Sequence, residues 1–424
     1  MPARSPSGTL TVRLPKGEAT AMRRSTTPCF LAGVGVSSFG DWLTTFALAV
    51  VLFNATKSVA VTAGYMLVRV APRPLGAWVG GPLGDLASPR LALIGVALTQ
   101  GAVTLALAVS LAMGHALWTI FVFAGLSQLV GGAWQPLTSA LMARLATGGG
   151  RHAINLAYVL LMNGMMLVSP AIGALLLPLL GPVPLVLTDA ATFALAAGLF
   201  LTLDVAGGGA ARSLTVRAAA TGGFSAAFQR PVLRIVAVGA FSATVVITAL
   251  QAALPALASQ RFGTSADAGF CWAAVGLGGI LGSLLALWRP IQKPAVILPG
   301  LVGEIACIGA VAVAGGPVID VLLLAVSTAS ASLAQIEGGV IIQSQAPETV
   351  GRIQGAVSTS RFLGMAGGAT LALLLALTVT WQVLVLVLAL GGLVLLAAAA
   401  LGPRGAPEAL AAGATATPLG DIPD

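Results

Sequence analysis

The chain has 424 residues, of which 57% are hydrophobic and only 8% charged, against about 25% charged in an ordinary soluble domain. With a mean hydropathy of +0.99, the composition excludes a water-soluble fold, and the solvent for most of the chain is lipid. The net charge of +8 does not point to nucleic acid, because basic residues of a membrane protein collect on its cytoplasmic loops.

A helix crosses the hydrocarbon with about 20 apolar residues. Runs of that size lie near 29–53, 59–83, 91–113, 116–142, 154–180 and 183–203, and again near 232–257, 267–288, 294–314, 318–344, 354–378 and 380–401. They predict an all-α integral membrane protein with twelve transmembrane helices. The first run is preceded by a tail (1–28) and is too long for the apolar core of a cleaved signal peptide. The connections are short except for 204–231, a Gly/Ala/Arg-rich linker that separates six spans (29–203) from six (232–401). The tail 402–424 is Ala/Gly/Pro-rich and reads as disordered. Cys29, Cys271 and Cys307 fall inside apolar runs and supply neither a disulfide framework nor metal-ligand spacing.

Orientation follows from Lys and Arg in the connections. With twelve spans and a cytoplasmic N-terminus, sixteen of these residues, among them Arg90, Arg144, Arg151, Arg234 and Arg352, fall on one side, and only Lys57 and Arg261 on the other. Both termini are therefore expected in the cytoplasm. A faint repeat accompanies the division. Residues 37–48 lie over 239–250, and 145–155 over 346–356, at offsets of about 200 residues, which places Asp41 over Ala243 and Arg151 over Arg352.

The segment GAWVGGPLGDLASPRL (76–91), between the second and third runs, resembles the cytoplasmic loop signature of the major facilitator superfamily. Gly81, Asp85 and Arg90 match that signature, and Leu86 stands where a basic residue is usual. GDWLTTFAL, VRVAPRPLGAWVGGPLGD, LTDAATFALAAG and IIQSQAPETVGRIQG resemble the drug- and macrolide-exporter-like branch. The resemblance covers nearly the whole chain. It implies two six-helix bundles around a central cavity, lined by spans 1, 4, 7 and 10 with 2, 5, 8 and 11 beside them. A gating role for Gly81, Gly84, Asp85 and Arg90 is expected. NGMMLVSPAIGA (163–174) resembles the span-5 pattern of antiporters, with Ser169 in place of the glycine before Pro170.

Asp41 sits in the middle of the first run. An isolated carboxylate at that depth costs roughly 3 kcal/mol and needs a partner, water or a proton. At about 1.5 Å per residue, Asp41 lies roughly 18 Å from the start of its span, Arg73 roughly 16 Å from the end of span 2 and Arg69 roughly 22 Å. Two readings stand: a structural Asp41–Arg73 pair, and a cavity-facing Asp41 that exchanges a proton or contacts a cationic substrate. By the same depth count Glu337 in span 10 pairs with Arg361 in span 11. Glu304 in span 9 has no cation at its depth in that half, and Asp189 in span 6 reads as structural. His115 and His152 fall in loops.

Gln128, Gln135, Gln251 and Gln335 are candidate cavity residues, together with Ser37, Thr44 and Ser330. Met162, Met165 and Met166 of span 5 and Trp272 of span 8 offer adaptable apolar surface. This lining fits an amphipathic organic molecule better than a sugar or phosphate. The sequence carries no Walker motif, metal cluster or nucleophile–base pair, so neither an enzyme nor a cofactor is expected. The glycines of 274–285 lie within a span and fit helix packing.

The reading is a monomeric secondary transporter of the inner (cytoplasmic) membrane whose partners are lipid, protons and a small-molecule substrate. It exports that substrate in exchange for protons. The alternatives are an importer or facilitator on the same fold and a transport-inactive scaffold or sensor; the scaffold has little use for expensive intramembrane charges. The topology has a direct check: reporter fusions after residues 57 and 261 should read external and fusions within 204–231 cytoplasmic. A cytoplasmic signal at 261 overturns the twelve-span topology.

Overall fold

The computed structural model describes residues 16–78, 88–145, 151–203, 230–288, 294–345 and 347–402. Regular structure among them is entirely helical. Seven helices form the first group: α1 (Lys16–Thr56), α2 (Val59–Val70), α3 (Pro89–Ala112), α4 (Trp118–Gly131), α5 (Trp134–Leu145), α6 (Arg151–Leu180) and α7 (Pro182–Leu201). Six form the second: α8 (Pro231–Arg261), α9 (Ala268–Trp288), α10 (Ile297–Val313), α11 (Pro317–Gln343), α12 (Pro347–Leu375) and α13 (Trp381–Leu401).

The sequence marks many of these boundaries. Proline opens α3, α7, α8 and α11, where its missing N–H is no loss and its fixed φ suits the first turn. Ser58 caps α2, its hydroxyl accepting from the Val61 N–H at 3.4 Å. Gly181, at φ +73°, turns α6 directly into α7.

Nine helices among the described residues are long and apolar enough to cross a membrane, and the 17-residue Ile297–Val313 is a shorter apolar one. The apolar runs near 59–83 and 116–142 are interrupted. Helix α2 stops at Val70 and the chain turns at Ala71–Pro72 before a further helical turn, since Pro72 cannot donate into the ladder. Helix α4 gives way to α5 at Gly132–Ala133. Large apolar side chains such as Leu105, Leu126, Leu195, Leu281, Val326 and Leu390 face outward, as a lipid-immersed surface requires.

Most helices pack chiefly within their own group, α1 to α7 or α8 to α13, but α2 and α6 make their most extensive contacts with the other group. The two groups meet along two seams, α6 against α9 and α2 against α12. Small residues set the first seam: a Cβ on Gly276 would lie 2.4 Å from the Leu167 nitrogen, and one on Gly269 would lie 2.2 Å from the Pro170 carbonyl oxygen. A neighbouring face of α9 packs as tightly on α11, with Gly278 against Ala325 and Gly282 against Ala329. The glycines of 274–285 therefore serve helix contact.

The end of the molecule at which α1 terminates is packed shut. Leu48 and Leu52 of α1 and Leu250, Leu254 and Leu257 of α8 are fully buried in one cluster. The Ser265 hydroxyl donates to Asn54 Oδ1 at 2.7 Å between the two groups. Deeper in, the Trp272 ring meets Trp42 and Phe46 edge-on, with centroids 5.9 and 6.0 Å apart. Trp272 is thus a core residue and not cavity lining.

Candidate functional site

Asp41, near the middle of α1, accepts two hydrogen bonds from Nη2 of Arg69, at 3.0 Å to each carboxylate oxygen. The Arg69 guanidinium lies 5.9 Å from the centroid of the fully buried Tyr65 ring. Gln128 of α4 donates from Nε2 to Asp41 Oδ1 at 3.3 Å and accepts from Arg73 Nε at 2.6 Å. A continuous chain Arg69–Asp41–Gln128–Arg73 links spans 1, 2 and 4.

The depth count selected the wrong arginine: Asp41 pairs with Arg69, not Arg73. The reason is the break at Pro72. The segment beyond it is drawn backbone to backbone onto span 4, where a Cβ on Gly132 would lie 2.2 Å from the Arg73 carbonyl oxygen, and one on Gly76 1.8 Å from that of Leu129. Arg73 therefore turns to Gln128. Asp189 of α7 also borders this cluster. It is 2% exposed, its Oδ1 has no hydrogen-bond partner, and a Cβ on Gly40 would lie 2.4 Å from it. Asp189 shares with Asp41, Arg69, Tyr65 and Thr44 a pocket of only about 10 Å³.

On the other side of Asp41 lies a cavity of about 540 Å³, within the range of small-molecule sites. Ser37, Asp41, Arg73, Gln128, Gln135 and Met162 line it, as do Gln100, Trp42, Trp134, Tyr158, Phe193, Ser358 and Phe362. Ala77, Ser139, Tyr158 and Ser358 lie in the parts of their spans nearest the end at which α1 begins, and the cavity extends that way. The cavity belongs mostly to the first helix group, and α12 alone of the second contributes. Spans 7 and 10, expected to line it, do not. Span 7 is held against span 11 by Gly364 and Gly368, whose Cβ atoms would lie 2.5 and 2.3 Å from the carbonyl oxygens of Phe241 and Val245.

Several expected residues lie elsewhere. Gln335 lines a separate cavity of about 60 Å³ within the second group, together with Glu304 and Arg361. Met166 packs on the main core cluster, and Gln251 lines neither cavity. Glu337 and Arg361 form no ion pair; Arg361 instead acts electrostatically on Glu304 across the small cavity. Depth again matched while azimuth did not. Gln335, Gly338 and Gly339 face that cavity, and Glu337, about 100° around the helix from Gly338, does not.

Gly81, Gly84 and Asp85 lie outside the described residues. Arg90 donates from Nε to the Phe200 carbonyl at 3.1 Å and from Nη2 to that of Leu201, which caps the C-terminus of α7. Arg234 repeats the device on α13, donating to the Ala399 carbonyl at 3.0 Å. Ser169 donates to the Phe39 carbonyl at 2.5 Å, so the hydroxyl that replaces the glycine of the antiporter pattern ties span 5 to span 1. Sequence reasoning also missed the pair Arg261–Asp320 at 2.7 Å, although Asp320 at the start of a span was a visible signal.

No family model matches the sequence, and no curated protein matches it. Solved structures match over nearly the whole length. A point mutant of the nucleoside transporter NupG superposes with a TM-score of 0.66 at 18% identity, covering 89% of this chain and 98% of that one. An auto-inhibited POT family peptide transporter superposes with a TM-score of 0.64 at 15% identity, covering 93% and 98%. The chain has the major facilitator fold. At such identities the likeness establishes the fold, and the apolar helices are those of a multi-pass membrane protein.

The ion-pair assignment makes a stability prediction. Arg69→Gln strands the Asp41 carboxylate and should cost on the order of 3 kcal/mol, tempered because the Asp41 side chain is 29% exposed. The double variant Asp41→Asn, Arg69→Gln should recover most of that loss, and Arg73→Gln alone should cost less than Arg69→Gln. Thermal unfolding of the purified variants checks the ranking; equal losses for the two arginines contradict it.

Proposed function

We propose that this chain is a secondary active transporter of the inner (cytoplasmic) membrane, which exports a small amphipathic organic compound in exchange for protons by alternating access. The observation that carries this reading is the cavity of about 540 Å³ that ends on the Asp41–Arg69 pair, combined with close packing at the opposite end. Such an arrangement is one half of an alternating-access cycle. With both termini in the cytoplasm, as the sixteen-to-two basic asymmetry supports, the cavity faces the cytoplasm in this conformation. The halves are 29–203 and 232–401, joined by the linker 204–231.

Asp41 is the proposed proton-exchanging group. It borders the cavity and is part-exposed, so water reaches it. The loop residues Gly81, Gly84 and Asp85 are proposed to bias the two states, while Arg90 anchors the neighbouring helix. The export direction rests on the exporter-like stretches around Asp41 and Asp189, and the working unit is proposed to be a monomer.

Drug-susceptibility screening of cells with and without the protein supplies a substrate; inside-out vesicles then test the mechanism. An imposed gradient, acidic inside, should drive accumulation. Asp41→Asn should abolish pH-driven accumulation while leaving substrate counterflow measurable. Accumulation driven by the opposite gradient makes the protein an importer, and wild-type coupling in Asp41→Asn removes Asp41 as the proton carrier.

A further inference from the structure

The charge balance of the large cavity defines what it binds. Among the described residues, the charged side chains in its lining are Asp41 and Arg73. Asp41 is already committed to Arg69, which stands behind it and outside the lining. Arg73 hydrogen-bonds the neutral carboxamide of Gln128, feels the Asp41 charge only at longer range, and forms no ion pair among the described residues. Asp189 does not supply the missing charge on this side, because it lines the small pocket beyond the ion pair with Arg69 and not the large cavity. An arginine cannot shed its proton to escape burial. Among the described lining residues Arg73 is thus the cation with no carboxylate bound to it, and it displays a planar fork that suits a carboxylate.

The rest of the wall describes the body attached to that anion. Trp42, Trp134, Tyr158, Phe193 and Phe362 present aromatic surface in the same lining. Gln100 and Gln135 add neutral carboxamides. We infer that the cavity recognises an aromatic organic monoanion, a carboxylic acid of drug-like size, whose carboxylate docks on the free face of the Arg73 guanidinium. A cationic ligand meets the opposite situation: the carboxylate among the described lining residues, Asp41, is held by Arg69, and Arg73 repels it.

This inference rests on the cavity being the substrate site, and its test separates the two ideas. The probes are naphthoate, naphthalenemethanol and naphthalenemethylamine, matched in ring and differing in charge. Binding to the full-length detergent-purified protein is measured by calorimetry, and uptake of each by reconstituted vesicles in parallel. Naphthoate should bind at least about tenfold more tightly than the other two, the worth of one charge-assisted contact. Arg73→Gln should erase that preference and Arg73→Lys should keep most of it. The wild-type comparison and Arg73→Lys decide the matter if Arg73→Gln fails to fold. Equal binding of all three, no binding of any, or preference for the amine overturns the anion site. Selective naphthoate binding without uptake of any probe keeps the anion site and removes the transport reading. Uptake of the alcohol or amine without carboxylate preference does the reverse.

Discussion

The Asp41–Arg69 ion pair is the constraint around which the first helix group is arranged. A carboxylate in the middle of a membrane span must be matched, and the match here draws in four spans. Arg69 ties span 1 to span 2, and Gln128 extends the network into span 4. Gly40, one residue before Asp41, lets span 6 approach until Asp189 and Thr192 occupy the space of a missing Cβ. The helix breaks at Pro72 and Gly132 then separate the two arginines of span 2. One closes the ion pair, and the other is delivered into the cavity.

The two helix groups are joined by glycine-lined contacts and apolar packing, without an ion pair between them among the described residues. Along α6 and α9 the contact runs through Gly269, Gly276 and backbone atoms, with Gly279 set against the Asn163 side chain. The closed end is held by the buried leucines of α1 and α8, by Trp272 on Trp42 and Phe46, and by the single hydrogen bond from Ser265 to Asn54, contacts that are apolar or singly hydrogen-bonded. Arg90 and Arg234, by contrast, clamp helix ends within their own groups. Rigid halves that meet along a glycine-lined seam fit rocking about a central site.

Much of this was legible in the chain. Composition fixed lipid as the solvent, and all twelve apolar runs carry helix. The loop and span motifs pointed to the fold that the structural neighbours share. Gln128, Gln135 and Met162 were recognisable as cavity residues because polar or soft side chains in an apolar span are conspicuous. What failed was partner choice. Counting residues gives height along a span but neither the angle around the helix, which separated Glu337 from Arg361, nor the effect of a break, which moved Arg73 away from Asp41. The placement of the cavity almost wholly in the first group was illegible for a similar reason. It depends on how closely Gly364 and Gly368 bring span 11 to span 7, a tertiary fact that a glycine in a sequence does not announce.

Alternating access between two rigid halves is the central claim, and paired distances at the two ends test it most directly. Spin labels at Ser139→Cys and Ser358→Cys span the cavity end, and labels at Asn54→Cys and Ser265→Cys span the packed end, with Cys29, Cys271 and Cys307 replaced. Electron–electron resonance across a pH series, with and without bound ligand, reads both distances. The account predicts that they change in opposite senses, the cavity end closing as the packed end opens. Distances that stay fixed under every condition, or that widen and narrow together, would contradict it.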